Sequence, residues 1–146
     1  VDYVSLNNPD REGRIIVPHT LVWTGYRWPV RAWCEKNKDY RDFVLSRFRG
    51  EADLMDISDR NATGDKDWQH IVTLEIEPDA RLTPQQQEVV ANDFNMTDSK
   101  LYLTVRAKLA PYLLQLLNVN TGRLHDDPKA QQLILTNHRA VNDWLI

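Results

Sequence analysis

The chain has 146 residues, of which 42% are hydrophobic and 27% charged, a composition that suits one medium globular domain or two small ones and excludes wholesale disorder. Its net charge of −3 is unevenly spread: eight Lys/Arg stand against three Asp/Glu between Gly13 and Arg49, while acidic residues predominate after Gly50. An anionic partner is therefore expected at the first half. The single Cys34 excludes a disulfide framework and any two-thiolate metal site, and fits a reducing, cytoplasmic setting. No apolar run approaches the length of a membrane span, so no membrane partner is expected. The start, Val1-Asp2-Tyr3-Val4-Ser5-Leu6, lacks Met and reads as a strand entered partway, so the chain is expected to be a piece of something longer.

The first 57 residues read as short strands. Ile15, Val17, Leu21 and Trp23 share one side of a period-two pattern over Arg14–Trp23, and Thr24-Gly25 turns the chain. In Tyr26–Cys34, Tyr26, Trp28, Val30, Ala32 and Cys34 fall on one face, and Arg27, Arg31 and Trp33 on the other. Tyr40–Phe48 follows, with Phe43 and Leu45 directed at the core. Gly50 permits a bend before a last strand, Ala52–Ile57. Pro18 and Pro29 cannot donate to a ladder and are expected at bulges or unpaired edges. Five short strands suggest a small Sm-like or SH3-like β-barrel over residues 1–57.

Residues 58–69 are polar, contain Gly64 and read as a linker. From 70 to 146 the pattern becomes strand, helix, strand, helix, strand. His70–Ile76 alternates, Thr83-Pro84-Gln85-Gln86 is a capping box with proline at the first helical position, and Lys100–Arg106 alternates again. Leu109, Tyr112, Leu113, Leu116 and Leu117 mark a second helix with Pro111 in its first turn, and Leu133–Leu135 closes the series. The fold class is thus a β domain followed by a compact α/β (ferredoxin-like) layer.

Enzyme signatures are missing. The four histidines are widely spaced, there is no His-Glu-x-x-His, no phosphate-binding loop and no Gly-x-Ser-x-Gly elbow. Neither catalysis nor a cofactor is expected.

Three runs carry a family resemblance: Arg14–Val22, then Gly25-Tyr26-Arg27-Trp28-Pro29-Val30-Arg31-Ala32-Trp33-Cys34, then Arg41-Asp42-Phe43-Val44-Leu45-Ser46-Arg47. They resemble the WYL domain, most closely that of regulators controlling phage-defence operons of the BREX and CBASS kinds. Trp28-Pro29-Val30 stands where the name-giving triplet would be. The second half resembles the C-terminal extension (WCX) that follows the WYL barrel. The resemblance implies the ligand-sensing and dimerising region of a bacterial transcription regulator, a homodimer that reaches DNA through an N-terminal winged helix-turn-helix absent here. It also implies a nucleic-acid-derived or nucleotide ligand on the barrel. The alternative is an Sm-like module that binds single-stranded nucleic acid without switching.

The candidate ligand-binding residues are Tyr3, Ser5, His19, Arg31, Trp33, Ser46 and Arg47. Arg31 and Arg47 offer planar forks suited to phosphate, His19 a switchable imidazole, and Tyr3, Ser5 and Ser46 hydroxyls. Trp33, sharing a face with Arg31, is the stacking candidate, whereas Trp28 is assigned to the core. The alternative for Arg31 and Arg47 is an intradomain ion pair with Asp42 or Glu51. Ligand contact predicts that Arg→Ala costs affinity and leaves the fold intact; an ion pair predicts a lower melting temperature.

Overall fold

The computed structural model describes residues 1–145 and divides the chain into two compact units, 1–66 and the residues from 67 onward. The polar residues 58–66 are grouped with the first unit.

The first unit holds two three-stranded antiparallel sheets. One is made of two-residue strands, β1 (Asp2–Tyr3), β2 (Glu12–Gly13) and β6 (Phe48–Arg49), in the order β2-β1-β6. The other is built from β3 (Ile16–Leu21), β4 (Pro29–Cys34) and β5 (Asp39–Val44), with β4 in the middle. Alternation along β4 sends Val30, Ala32 and Cys34 to one face, where they meet Phe43 of β5 and the partly buried Tyr3, Ile16 and Phe48. The Tyr3 ring stands edge-on to Phe43 at 5.1 Å and to Phe48 at 5.3 Å, so aromatic packing joins the two sheets. Cys34 is buried in this core.

The mixed β/α class is as expected, but no closed five-stranded barrel forms among the described residues. No ladder joins one sheet to the other. Ala52–Ile57, expected to be the last strand, has no strand partner, and Leu54 and Ile57 are fully exposed. A short 3-10 turn at Leu45–Arg47 ends the alternation of β5, so Leu45 points outward while Phe43 stays buried. Pro18 lies where the β3–β4 register shifts, at the expected bulge, whereas Pro29 is accommodated as the first residue of a central strand.

The second unit contains α1 (Lys66–Gln69, whose first residue belongs to the preceding unit), β7 (Ile71–Pro78), α2 (Pro84–Asp93), β8 (Leu101–Arg106), α3 (Ala110–Leu116), β9 (Leu133–Leu135) and α4 (His138–Val141). The sheet order is β8-β7-β9, all antiparallel. This is three strands, where a ferredoxin-like layer has four. Leu74 and Ile76 of β7 anchor a core shared with Val90 of α2, Leu114 of α3 and Leu133 of β9. Thr83 accepts from the Gln86 backbone N–H at 3.2 Å and Gln86 Oε1 accepts from the Thr83 N–H at 2.9 Å, which completes the expected capping box. Trp144 stacks on His70 with centroids 4.6 Å apart, and Leu145 packs against the core; Ile146, read with them as an apolar end, lies outside the described residues.

Asp79 pins the entry to α2. Its buried carboxylate accepts from the Arg81 backbone N–H at 2.8 Å and from Arg81 Nη2 at 2.7 Å. The Arg81 hydrogen bonds hold its pKa below the ordinary carboxylate value, against the opposing effect of burial. A carboxylate whose pKa is lower folded than unfolded contributes stability above the unfolded pKa, about 3.9, and loses it as pH falls through the lowered value. Asp79→Asn should therefore lower the melting temperature at pH 7, with the gap to wild type closing in acid. A pH series of thermal melts checks this.

Candidate functional site

The face of the β3-β4-β5 sheet opposite the Val30–Phe43 core carries the chemistry. Arg31 and Trp33 alternate onto it from β4, and Tyr40 and Asp42, their cross-strand partners, join them from β5. His19 enters from β3 at the bulge, where the register shifts between Pro18 and Thr20. Arg31 is 3% exposed. A buried guanidinium needs a counter-charge, and the chain supplies one from residue 65. Arg31 Nε donates to Asp65 Oδ2 at 2.7 Å and Nη2 to Asp65 Oδ1 at 2.9 Å, a fork-to-fork pair, while Nη1 reaches Asp42 Oδ1 at 3.5 Å. Burial opposes the Arg31 charge most strongly. The hydrogen bonds to Asp65 and the fields of Asp42 and Asp65 together outweigh it, and the pKa lies above the ordinary arginine value.

The same carboxylate meets His19, whose Nε2 lies 3.0 Å from Asp65 Oδ2 while Nδ1 lies 2.8 Å from Thr20 Oγ1. An ionised carboxylate only accepts, so Nε2 carries the proton in this contact. Trp33 is buried; its Nε1 donates to Glu35 Oε1 at 3.0 Å, and the Arg60 guanidinium lies 3.7 Å from the ring centroid. Lys38 first, and then this Trp33 hydrogen bond, hold the Glu35 carboxyl below its usual range. The Tyr40 hydroxyl donates to the Asn61 carbonyl at 2.8 Å, and a Cβ on Gly64 would stand 3.0 Å from that hydroxyl. Residues 60–65, read as linker from their composition, thus lie along this face and occupy it.

The structure brings together three of the seven residues singled out from the sequence: His19, Arg31 and Trp33. Tyr3 is committed to the opposite core, where its hydroxyl accepts the Val44 N–H at 2.8 Å. The Ser5 hydroxyl accepts the Asn8 N–H at 3.0 Å in a surface bend. Ser46 is exposed in the 3-10 turn, and Arg47 is half-buried at its end with no side-chain ion pair among the described residues. No hydrogen bond, ion pair or ring contact among the described residues links Tyr3, Ser5, Ser46 or Arg47 to Arg31. The ion pair weighed as the alternative for Arg31 is present, but its main partner is Asp65 rather than Asp42 or Glu51. Asp65, Arg60 and Tyr40 were absent from the sequence-derived set. Tyr40 was accessible through alternation with Phe43; Asp65 and Arg60 lie in a stretch with no apolar period to follow.

Trp28, assigned to the core from its parity, is 43% exposed because β4 starts one residue after it. It packs against the exposed Trp23 at 4.9 Å, beside exposed Tyr26 and the Arg27 guanidinium.

Residues 1–51 match the WYL domain, and residues 71–141 match "BrxR transcriptional regulator, C-terminal dimerization domain". The chain is a WYL domain followed by a BrxR-type dimerization domain. Curated relatives agree along almost its whole length. It is 37% identical over 145 residues to the DNA-binding transcriptional repressor CapW of Pseudomonas aeruginosa, covering 99% of this chain and 48% of that protein. CapW of Escherichia coli (strain KTE188) is 36% identical over 137 residues, covering 94% and 46%, and CapW of Stenotrophomonas maltophilia 30% over 145 residues, covering 99% and 48%. These relatives are repressors rather than enzymes, and the chain spans about half their length. Among solved structures, proteasome accessory factor B/C of Arthrobacter aurescens aligns with 99% of this chain and 23% of its own, at TM-score 0.38 and 19% identity, too low for an argument from its fold. The WYL match contains Arg31, His19 and Trp33 but stops short of Arg60 and Asp65. No helix among the described residues is long and apolar enough to cross a membrane, and no His/Cys/Asp/Glu group there is arranged to hold a metal.

Proposed function

We propose that the chain is the effector-sensing and dimerising half of a cytoplasmic DNA-binding transcriptional repressor of a phage-defence system. Its WYL domain takes an anionic, nucleotide or nucleic-acid-derived ligand on the face of Arg31, His19 and Trp33. DNA contact belongs to a domain outside this chain. Nearly full-length alignment to repressors named CapW supports the regulatory role. The observation that carries the ligand reading is the buried guanidinium on an otherwise well-packed sheet, matched by a carboxylate in a fork that a phosphate fits equally. Switching then follows from differential ligand affinity for the DNA-bound and released dimers.

Self-association is assigned to the second unit on its domain match. Sedimentation equilibrium should give a dimer; a monomer at tens of micromolar would count against pairing through this chain alone.

A second reading has its own observation. The exposed Trp23, Tyr26 and Trp28 beside Arg27 suit base stacking on single-stranded nucleic acid, with no switching role. Calorimetric titration with a short oligothymidylate and with cyclic nucleotides separates the two. If the sensor reading holds, Trp33→Ala weakens binding by about tenfold, as the loss of one base–aromatic stack does, and Trp28→Ala leaves it unchanged. The stacking reading expects the reverse.

A further inference from the structure

We propose that residues 60–65 are a built-in competitor for the WYL site, with Asp65 standing where a ligand phosphate binds and Arg60 where its base stacks. The inference rests on the sensor reading above and adds the ligand class, a nucleotide unit, together with the device that gates it.

Two contacts carry it, and they differ chemically. Asp65 presents two oxygens to Arg31 Nε and Nη2 at 2.7 and 2.9 Å and one to His19 Nε2 at 3.0 Å. Two oxygens of a phosphate satisfy the same three donors. Arg60 lays a planar, delocalised group 3.7 Å from the Trp33 ring centroid. A nucleobase is another planar group that stacks on such a ring. The stand-ins are five residues apart on one short segment, one anionic and one planar, as the phosphate and base of a nucleotide are.

The segment is held in a way that permits exchange. Thr63 and Gly64 are exposed and Ala62 is only partly buried, so its grip is mainly polar: the Asp65 fork, the Tyr40–Asn61 hydrogen bond and the Arg60 stack. Segments with few buried apolar contacts open locally at little cost. Residues 51–59 before it are exposed throughout and supply slack. Opening without a ligand takes the Asp65 fork from Arg31 and leaves it Asp42 at 3.5 Å and water. Opening onto a phosphate replaces the fork, so displacement is coupled to binding. A buried ion pair adds little stability over apolar packing, and a role as an exchangeable stand-in gives the charged pair a reason to be kept.

The test compares wild type, Arg60→Ala and Asp65→Asn by calorimetry with 5′-AMP, a short oligothymidylate and inorganic phosphate. Arg60 is exposed, so its variant keeps the fold even where Asp65→Asn is destabilised. If the segment is open in about a tenth of molecules, removing its hold tightens binding by about tenfold. Asp65→Asn is expected to do so for all three probes, and Arg60→Ala for AMP and the oligonucleotide but not for inorganic phosphate, which has no base. Binding to AMP but not the oligonucleotide identifies a free nucleotide; the reverse identifies a strand. In wild type, hydrogen exchange at the amides of 61–66 should quicken when a nucleotide probe is bound. Unchanged affinities in both variants, or unchanged exchange in a wild type that does bind, overturns the competitor while the sensor reading stands. No binding of any probe by wild type or either variant overturns both.

Discussion

Arg31→Ala should destabilise the first unit by about 3–5 kcal/mol, the range for removing one partner of a buried ion pair. Asp65 is 1% exposed, so the substitution leaves a carboxylate without the two guanidinium donors that face it, at a place where water cannot easily replace them. Asp42, which Arg31 Nη1 reaches at 3.5 Å, loses a neighbour as well. This corrects the sequence expectation that Arg31→Ala leaves the fold intact: the residue is an element of the fold whatever it binds. The cost belongs to the stranded charge, not to the cluster as such. The pair Arg31→Met with Asp65→Leu should therefore recover most of the loss, because apolar side chains of similar volume replace buried ion pairs at little or no cost. Urea melts of the two single variants and the double variant measure the coupling. Additive losses in the double variant would contradict it.

The second large effect lies in the other unit. Leu74→Ala should cost about 2–5 kcal/mol, the range for truncating a buried leucine, which adds a cavity to the lost transfer free energy. Leu74 is fully buried at the middle of β7, the central strand, opposite Leu103 of β8 in the register and within the core that α2 and α3 cover. Neighbours on both strand and helix sides leave little room for collapse into the gap. Ile71→Ala, on the same strand but 50% exposed, should cost well under half as much. Equal losses at the two positions, in urea melts followed by circular dichroism, would show that the covered face is not the core.

The second unit was the more legible from sequence because its signals are local. Thr83, Pro84 and Gln86 write a helix start within four residues, and Leu101–Arg106 alternates cleanly between two turns. In the first unit, alternation correctly placed Arg31 and Trp33 opposite Val30, Ala32 and Cys34, but it could not say what would cover that second face. The answer, Asp65, is 34 residues from Arg31, in a polar segment whose composition signals only the absence of a regular element. Leu45 and Trp28 were misassigned for a related reason. Parity holds only while the strand lasts, and β5 ends at Val44 while β4 begins at Pro29. Ala52–Ile57 carries two aspartates, which strands disfavour, and has no strand to pair with; pairing is a non-local property.

The most direct test of the WYL unit as a phosphate-reading sensor is the affinity of wild type for a short oligothymidylate across a series of salt concentrations. Phosphates neutralised by the protein release counterions, and each, the one at Arg31 included, contributes a slope of about −0.7 to log K against log salt for a single strand. Engagement of Arg31 predicts measurable binding at low salt and a slope of about −0.7 or steeper. Absence of binding of both the oligothymidylate and 5′-AMP at low salt, or binding whose affinity does not change with salt, would contradict the account.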